Sequence, residues 1–316
     1  MARRAVLSGG TGFVGANLAR RLLRDGHEVH LLVRPGNSSW RIEEIRNQVG
    51  IHVCDLTDAD GLEAALQAIR PDWIFHLAVH GAYPSQADTD KMVATNVVGT
   101  VNLVSAAVRV GFEAFVNTGS SSEYGFKDHA PSETEALEPN SAYAVTKASA
   151  TLFCRYTAMT KQVRLPTLRL YSVYGPYEEP SRLMPQLVVR GLAGDLPALA
   201  NPEIARDFVH ADDAIEAYIR AASQPLAEPG PIYNIGTGQQ TTLRELVDIV
   251  RRRLGISVRP AWESMAARSW DTNIWVADPA RANRELGWVP KLDVDQGFAE
   301  LVCWFENTPQ IRGRYR

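Results

Sequence analysis

The stretch Gly9-Gly10-Thr11-Gly12-Phe13-Val14-Gly15 decides the fold. It directly follows the apolar run 5–8 and opens an amphipathic stretch that continues to Arg24. Glycines spaced in this way let a strand turn sharply into a helix and let the backbone approach a pyrophosphate. The helix N-terminus then offers unpaired N–H groups and a positive dipole end. We therefore predict that Gly9, Thr11, Gly12, Phe13, Val14 and Gly15 contact a dinucleotide.

Short apolar runs alternate with amphipathic stretches through roughly the first 180 residues. The strand-like runs are 5–8, 28–33, 51–54, 73–77, 113–118 and 165–173. Two long helices are predicted, from about Met92 to Val110 and from about Ala142 to Met159, because apolar residues recur there every three or four positions. This alternation predicts an α/β fold, a Rossmann-type doubly wound parallel sheet with right-handed crossovers.

Beyond Pro176 the pattern changes to shorter pieces punctuated by proline and glycine. Helices are predicted near 183–192, 211–222, 242–254, 279–286 and 294–305. We expect residues 1–176 to form mainly the dinucleotide-binding Rossmann domain and residues 177–316 mainly a smaller substrate-binding region. That region would lie against the carboxyl ends of the strands, where ligands of open α/β sheets bind.

The composition narrows the partners and the compartment. Of 316 residues, 45% are apolar and 22% are charged, and the net charge is -3. This balance gives no general attraction to nucleic acid or to anionic lipid. Cys54, Cys154 and Cys303 are far apart, which predicts neither a disulfide framework nor a metal site. With no signal-like or membrane-spanning apolar run, we expect a cytoplasmic protein.

The end of the second predicted strand bears on the choice of cofactor. Enzymes that use NAD usually carry an acid there, which binds the ribose 2′-hydroxyl. Here the run ends with Val33 and Arg34, and Asn37 and Ser38 follow. A guanidinium with nearby polar donors suits a 2′-phosphate, so we expect NADP(H) rather than NAD(H). The alternative is that Arg34 is a solvated loop residue.

Further cofactor contacts are expected where the third and fourth strands end. Asp55 could accept a hydrogen bond from the adenine amino group, or it could simply form a turn. Leu56, Leu77 and Ala78 would line the cofactor. His76 and His80 straddle a strand end, so their spacing does not indicate a metal site.

Tyr143 and Lys147 form the candidate catalytic pair. Their i,i+4 spacing places both side chains on one helix face. A free phenol has a pKa of about 10, and we expect a nearby ammonium and a positively charged nicotinamide to lower that pKa. Ser120, at the end of a predicted strand, would share a substrate carbonyl oxygen with Tyr143. We also expect Tyr143 and Lys147 to contact the cofactor.

Several further motifs occur in a fixed order along the chain. They are Asn96-Val97-Val98-Gly99-Thr100, Leu168-Arg169-Leu170-Tyr171-Ser172-Val173-Tyr174-Gly175-Pro176, Arg206-Asp207-Phe208-Val209-His210-Ala211-Asp212-Asp213, Asn234-Ile235-Gly236-Thr237-Gly238 and Glu285-Leu286-Gly287-Trp288-Val289-Pro290. With the glycine turn and the Tyr/Lys pair, this series resembles the extended short-chain dehydrogenases/reductases of the NAD-dependent epimerase/dehydratase group. The resemblance covers nearly the whole length.

The resemblance implies nucleotide-diphosphate sugars as substrates and a homodimer joined by the two long helices. It adds Tyr171 and Val173 to the expected cofactor contacts. The expected substrate contacts are His80, Ser121, Ser122, Ser172, Arg206 and Arg268. Arg206 is similar to the family arginine near the sugar diphosphate, and Arg268 is a second candidate. The alternative for both is surface ion pairing with Asp207 or Asp271.

One departure from the family pattern narrows the reaction. Sugar 4,6-dehydratases of this group typically have a Thr-Asp-Glu triplet before their Tyr-Gly, and its acids eliminate water. This chain has Ser120-Ser121-Ser122, and Glu123 comes one place late. A gap in the alignment could still make Glu123 a base.

Four functions remain open. The leading hypothesis is NADP(H)-dependent reduction of a nucleotide-linked 4-keto-6-deoxy sugar at C4, with Tyr143 as general acid. The alternative is a nucleotide-sugar 4-epimerase, and a 4,6-dehydratase is less favoured. A non-catalytic dinucleotide sensor would be expected to lose Ser120, Tyr143 or Lys147, and this chain keeps all three.

Overall fold

The computed structural model describes residues 1–37, 40–83, 85–266 and 271–315. Its centre is a sheet of seven parallel strands in the order β3-β2-β1-β4-β5-β6-β10. These strands are β1 Arg4–Ser8, β2 Glu28–Val33, β3 Gly50–Val53, β4 Trp73–His76, β5 Ala114–Ser120, β6 Thr167–Leu170 and β10 Ile232–Ile235. Two small sheets pair β7 Ser172–Tyr174 with β9 Phe208–His210, and β8 Ala205–Arg206 with β11 Thr241–Thr242.

Helices cover both faces of the large sheet. They are α1 Phe13–Arg24, α2 Ala59–Ile69, α3 Thr89–Met92, α4 Gly99–Val110, α5 Ala142–Lys161, α6 Leu183–Gly191, α7 Ala211–Ser223, α8 Leu243–Leu254, α9 Ala280–Leu286, α10 Val294–Asn307 and α11 Pro309–Arg312. Helices α1 and α7 pack on one face, and α2, α4 and α5 pack on the other. A separate core joins α6, α8 and α10. The predicted Rossmann-type α/β fold is confirmed.

The large sheet is not confined to the first part of the chain. The predicted run 165–173 divides at Tyr171, whose N–H still bonds to Ile235 O of β10, whereas Ser172 N–H bonds to Asp207 O. The chain thus leaves the large sheet and continues as β7 beside β9. Strand β10 comes from beyond Pro176, so the region 177–316 supplies the seventh strand as well as the second core.

The first predicted long helix begins at Thr89 and contains a π-helical turn, Val93–Val98, between α3 and α4. By length and composition alone the run Thr89–Val110 could cross a membrane. In this fold α4 packs against α2 and α5. Asn96 and Thr100 on this run are buried polar residues with hydrogen-bond partners.

Candidate active site

The glycine turn joins β1 to α1 at the point where the strand order reverses. Gly9 has a φ of +73°, and a Cβ atom there would lie 2.5 Å from Ala78 N. A Cβ on Gly15 would lie 2.2 Å from Gly9 O. Within the described residues, no side chain caps the N-terminus of α1, which begins after Gly12. The N–H groups of this first turn are therefore available to an anion, and the pyrophosphate contact expected at the glycine turn stays a prediction.

The carboxyl ends of β2 and β3 carry the residues expected to choose the cofactor. Arg34 is exposed directly after β2, and Asn37 Nδ2 donates to Thr11 Oγ1 over 2.6 Å. Asp55 Oδ1 accepts from both N and Oγ1 of Thr57, which lowers the pKa of Asp55, and the charge of Arg34 lowers it further. Of the two roles considered for Asp55, the structure therefore shows the turn. Ser38 lies outside the described residues.

The remaining cofactor candidates lie around the ends of β3 and β4. Leu56 O accepts from Asn102 Nδ2 of α4 over 3.0 Å. Leu77 and Ala78 follow β4 and contact the glycine turn closely, since only hydrogen fits at Gly9. His80 follows them; burial lowers the pKa of its imidazole, and the charge of Arg34 lowers it further. His80 therefore lies close enough to Arg34, which follows β2, for that charge to affect its imidazole.

Tyr143 and Lys147 lie on α5, beside the end of β5. Lys147 Nζ donates to Thr118 O over 2.5 Å, and burial lowers the pKa of Lys147. Burial raises the pKa of Tyr143 to about 12, against the opposing effects of a hydrogen bond with Ser120 and of the charge of Arg182. This direction is opposite to the one expected from the sequence, because desolvation outweighs the hydrogen bond with Ser120 and the charge of Arg182.

Ser120 ends β5 and faces this pair. Its Oγ lies 2.7 Å from Ser122 Oγ, and Ser122 N–H donates to it over 3.2 Å. Ser121 is buried. Ser120 and Tyr143 therefore lie together at the carboxyl edge of the sheet. From the sequence, these two side chains are expected to share a substrate carbonyl oxygen.

Glu123 turns away from that edge into the protein. Its Oε1 accepts from Ser120 N and from Thr151 Oγ1, at 2.8 and 3.0 Å. Its Oε2 accepts from Arg169 Nε at 2.8 Å. Both carboxylate oxygens are thus engaged inside the core. Glu123 therefore does not fit the role of a general base, which a gap in the alignment could have given it.

The region beyond Pro176 contributes Arg206 on β8. Arg206 Nη2 lies 3.5 Å from Asp271 Oδ1. The ion pair considered as the alternative role of Arg206 is therefore present. Asp207 instead points inward and accepts from Thr237 N, Thr237 Oγ1, Gly238 N and Ala277 N. Arg268 lies outside the described residues.

Of the motif residues after β6, Tyr171 and Val173 were expected at the cofactor and Ser172 at the substrate. Tyr171 is buried, and burial raises the pKa of its phenol. Val173 packs against the core that contains α1 and α7. Ser172 is half-buried at the start of β7.

Sequence reasoning missed Tyr83 and Arg182. The charges of both act on the pKa of Tyr143, so they lie near the candidate proton-transfer group. Glu178 forms an ion pair with Arg182, and burial raises the pKa of Glu178 to about 7. Tyr83 follows β4 at the carboxyl edge, which is a signal that could have found it. Arg182 directly precedes α6, and no comparable local pattern marks it in the sequence.

Comparison with known proteins agrees with this geometry. A profile of the NAD dependent epimerase/dehydratase family matches residues 5–236. UDP-glucose 4-epimerase of Mycolicibacterium smegmatis is 32% identical over 97% of this chain and all of its own length. dTDP-glucose 4,6-dehydratase of Streptomyces griseus is 28% identical over 96% of this chain and 94% of its own.

A solved structure of a relative has the same fold as this chain. The UDP-glucose 4-epimerase of Thermus thermophilus in complex with NAD superposes with a TM-score of 0.85 at 27% identity, over 96% of this chain and 99% of its own. The glycine turn, the Tyr143/Lys147 pair and the family profile are mutually consistent. This chain belongs to the NAD dependent epimerase/dehydratase family.

Proposed function

We propose that this protein is a nucleotide-sugar 4-epimerase that uses a nicotinamide dinucleotide. The observation that carries the proposal is the pairing of Ser120 with Tyr143 while Glu123 is held inside the core. Dehydration needs carboxyl groups at the reacting sugar, whereas 4-epimerisation needs, besides the dinucleotide, a hydroxyl donor and a phenol. The relatives named above are epimerases and dehydratases, which supports epimerisation more than net reduction.

Each side chain has a defined task. When bound, a nicotinamide dinucleotide supplies a hydride acceptor and donor, and its oxidised form adds a positive charge. Tyr143, as the phenolate, would accept the proton of the 4-hydroxyl, and it would return that proton after the ketone presents its other face. Ser120 donates to the same oxygen and orients it. Lys147, anchored to Thr118 O, keeps a cation on the helix face of Tyr143.

The substrate in this proposal is a nucleoside-diphosphate hexose. The M. smegmatis and T. thermophilus relatives are named for UDP-glucose, and the S. griseus relative for dTDP-glucose. Arg206 supplies a positive charge on β8 that suits a diphosphate, although Asp271 shares it. Arg182 adds a second cation near Tyr143.

Net reduction of a 4-keto sugar is the second candidate, and one observation favours it. Arg34 stands directly after β2, where enzymes that use NAD usually have an acid, and its side chain is exposed. A 2′-phosphate would pair with this guanidinium. A reductase releases its oxidised cofactor at each turnover, so a preference for NADP(H) would suit it. The T. thermophilus relative was solved with NAD.

The test is to incubate the purified protein with UDP-glucose, UDP-galactose, UDP-glucuronic acid, dTDP-glucose and a nucleotide-linked 4-keto-6-deoxy sugar, with NAD or NADPH. Products are identified by NMR and mass, and the Tyr143→Phe variant is the control. A C4 epimer of equal mass without net NADPH use supports the proposal. A product lighter by one water supports dehydration. Conversion only of 4-keto substrates with matching NADPH consumption supports reduction. Either of the last two outcomes overturns 4-epimerisation.

A further inference from the structure

A chain of buried hydrogen bonds connects the glycine turn to α4. Ser8, the last residue of β1, has its Oγ 2.6 Å from His76 Nδ1 at the end of β4. His76 Nε2 lies 2.8 Å from Thr100 Oγ1, and Thr100 Oγ1 donates to Asn96 O over 2.6 Å. All four residues are almost completely buried. Backbone Ala78 N–H, which borders the glycine turn, donates to Ser8 Oγ over 3.4 Å.

The directions of these bonds fix the protonation of His76. Thr100 uses its only hydroxyl proton on Asn96 O, so it must accept a proton from His76 Nε2. The other ring nitrogen then accepts from Ser8. His76 is therefore a neutral imidazole protonated at Nε2. Its surroundings agree, since burial and the charge of Lys147 lower the pKa of His76 to about 3.

The chain continues from α4 to the catalytic helix through one amide. Asn96 lies in the π-helical turn Val93–Val98, a type of helix irregularity that is frequent at functional sites. Its Nδ2 donates to Thr146 Oγ1 over 2.9 Å, and Thr146 Oγ1 donates to Tyr143 O over 2.8 Å. Asn96 also bonds to both N and O of His80, at 2.8 Å each, after β4.

We propose that His76 is a positioning residue whose imidazole fixes the position of α5, the helix that carries Tyr143, relative to the glycine turn. The connection runs from the turn through His76, α4 and the Asn96 amide to the backbone of Tyr143. Because consecutive groups in the chain are joined by direct hydrogen bonds, a displacement of the imidazole moves the whole series. The role rests on the proposed proton transfer by Tyr143.

The tautomer is tested without reference to activity. The protein contains seven histidines, so ¹⁵N-histidine labelling with a His76→Gln variant assigns the signal. We expect a protonated Nε2, an unprotonated Nδ1 and no titration between about pH 5 and pH 8, as befits a strongly depressed pKa. A proton on Nδ1, or a titration within that window, would overturn the proposed network.

The positioning role is tested at Thr100, which touches no reacting group. Thr100→Val removes the hydroxyl at similar volume, and Thr100→Ser keeps it as the rescue. We expect Thr100→Val to lower kcat roughly 10- to 100-fold, since small displacements near the reacting atoms have effects of that size. The dissociation constant of the dinucleotide and the KM of the sugar should change less than about threefold. Thr100→Ser should stay within about twofold of wild type in kcat.

Two results separate failure of the role from failure of the proposed function. If Tyr143→Phe is inactive while Thr100→Val keeps wild-type kcat, or loses only thermal stability, His76 has no positioning role and the proton transfer stands. If Tyr143→Phe retains turnover, the proposed function fails first. A Thr100→Val variant that loses cofactor affinity as much as kcat also overturns the inference.

Discussion

Glu123 Oε2 accepts a hydrogen bond from Arg169 Nε at 2.8 Å, and the two side chains are 0% and 2% exposed. Tyr124 closes the group, since its hydroxyl accepts from Arg169 Nη1 and donates to Asn234 Oδ1. Gly119 lies opposite Arg169 in the sheet, and a Cβ there would come 2.9 Å from Glu123 Oε1. A carboxylate satisfied in this way holds β5 and β6 together.

Replacing Glu123 by glutamine should destabilise the fold by about 3–5 kcal/mol, because it leaves the Arg169 charge buried without a counterion. Urea unfolding of wild type and Glu123→Gln measures the difference. Glu138→Gln is the matched control: it breaks the Glu138–Lys127 contact with an exposed carboxylate, where about 1 kcal/mol or less is expected. A Glu123→Gln protein as stable as wild type would contradict the structural role.

This ion pair shows where sequence reasoning ends. The glycine turn, the Tyr/Lys pair and the Ser120 strand end are local patterns, and their residues meet at one edge of the sheet as predicted. Glu123 and Arg169 are brought together only by the pairing of β5 with β6. No local spacing reveals that contact, so a buried carboxylate was open to interpretation as a displaced base. Strand β10 is not predicted from the sequence either, because Ile232–Ile235 lies among the short pieces beyond Pro176 that proline and glycine interrupt, outside the regular alternation of strands and helices.

Tyr143→Phe should bind cofactor and sugar nucleotide as wild type does while losing about 10²–10⁴-fold in turnover, the usual contribution of a general acid–base group. Isothermal titration and steady-state rates measure the two properties. Tyr156→Phe, an exposed tyrosine on the same helix, is the control and should keep full activity. Near-normal turnover in Tyr143→Phe would remove the phenol from the mechanism.

Glu178 makes the stability of the fold depend on pH. Burial raises its pKa from 4.5 to about 7, so the folded protein holds a proton that the unfolded chain releases. Its contribution is most favourable below about pH 4.5 and is lost as the pH rises to about 7. Glu178→Gln, which imitates the protonated form, should gain on the order of 1–3 kcal/mol at pH 8 and little at pH 4. Equal gains at both pH values in urea unfolding would exclude this origin.

Arg34→Ala should weaken NADP(H) binding about tenfold or more and leave NAD(H) binding nearly unchanged, because only the 2′-phosphate needs the guanidinium. Fluorescence titration of both cofactors measures this. Arg24→Ala, at the far end of α1, is the charge-matched control. Tighter binding of NAD(H) than of NADP(H) by the wild-type protein would contradict the expected preference.

The exposed apolar side chains of the two long helices predict a homodimer. Leu152 and Tyr156 on α5 are 57% and 65% exposed, and Val98 on the run Thr89–Val110 is also exposed. Sedimentation at micromolar concentration should give twice the chain mass of 34.8 kDa. Leu152→Glu with Tyr156→Glu should give monomers, whereas Val289→Glu, an exposed apolar site elsewhere, should not. A wild-type monomer would refute the pairing.

The late arrival of β10 has a consequence for synthesis on the ribosome. The outer edge of β6 must wait for Ile232–Ile235 before its backbone groups are paired. During translation a nascent chain that ends before this strand carries an open, apolar sheet edge, the kind of surface that recruits neighbouring chains. Chaperone demand should therefore be greatest while the segment between β6 and β10 is being made.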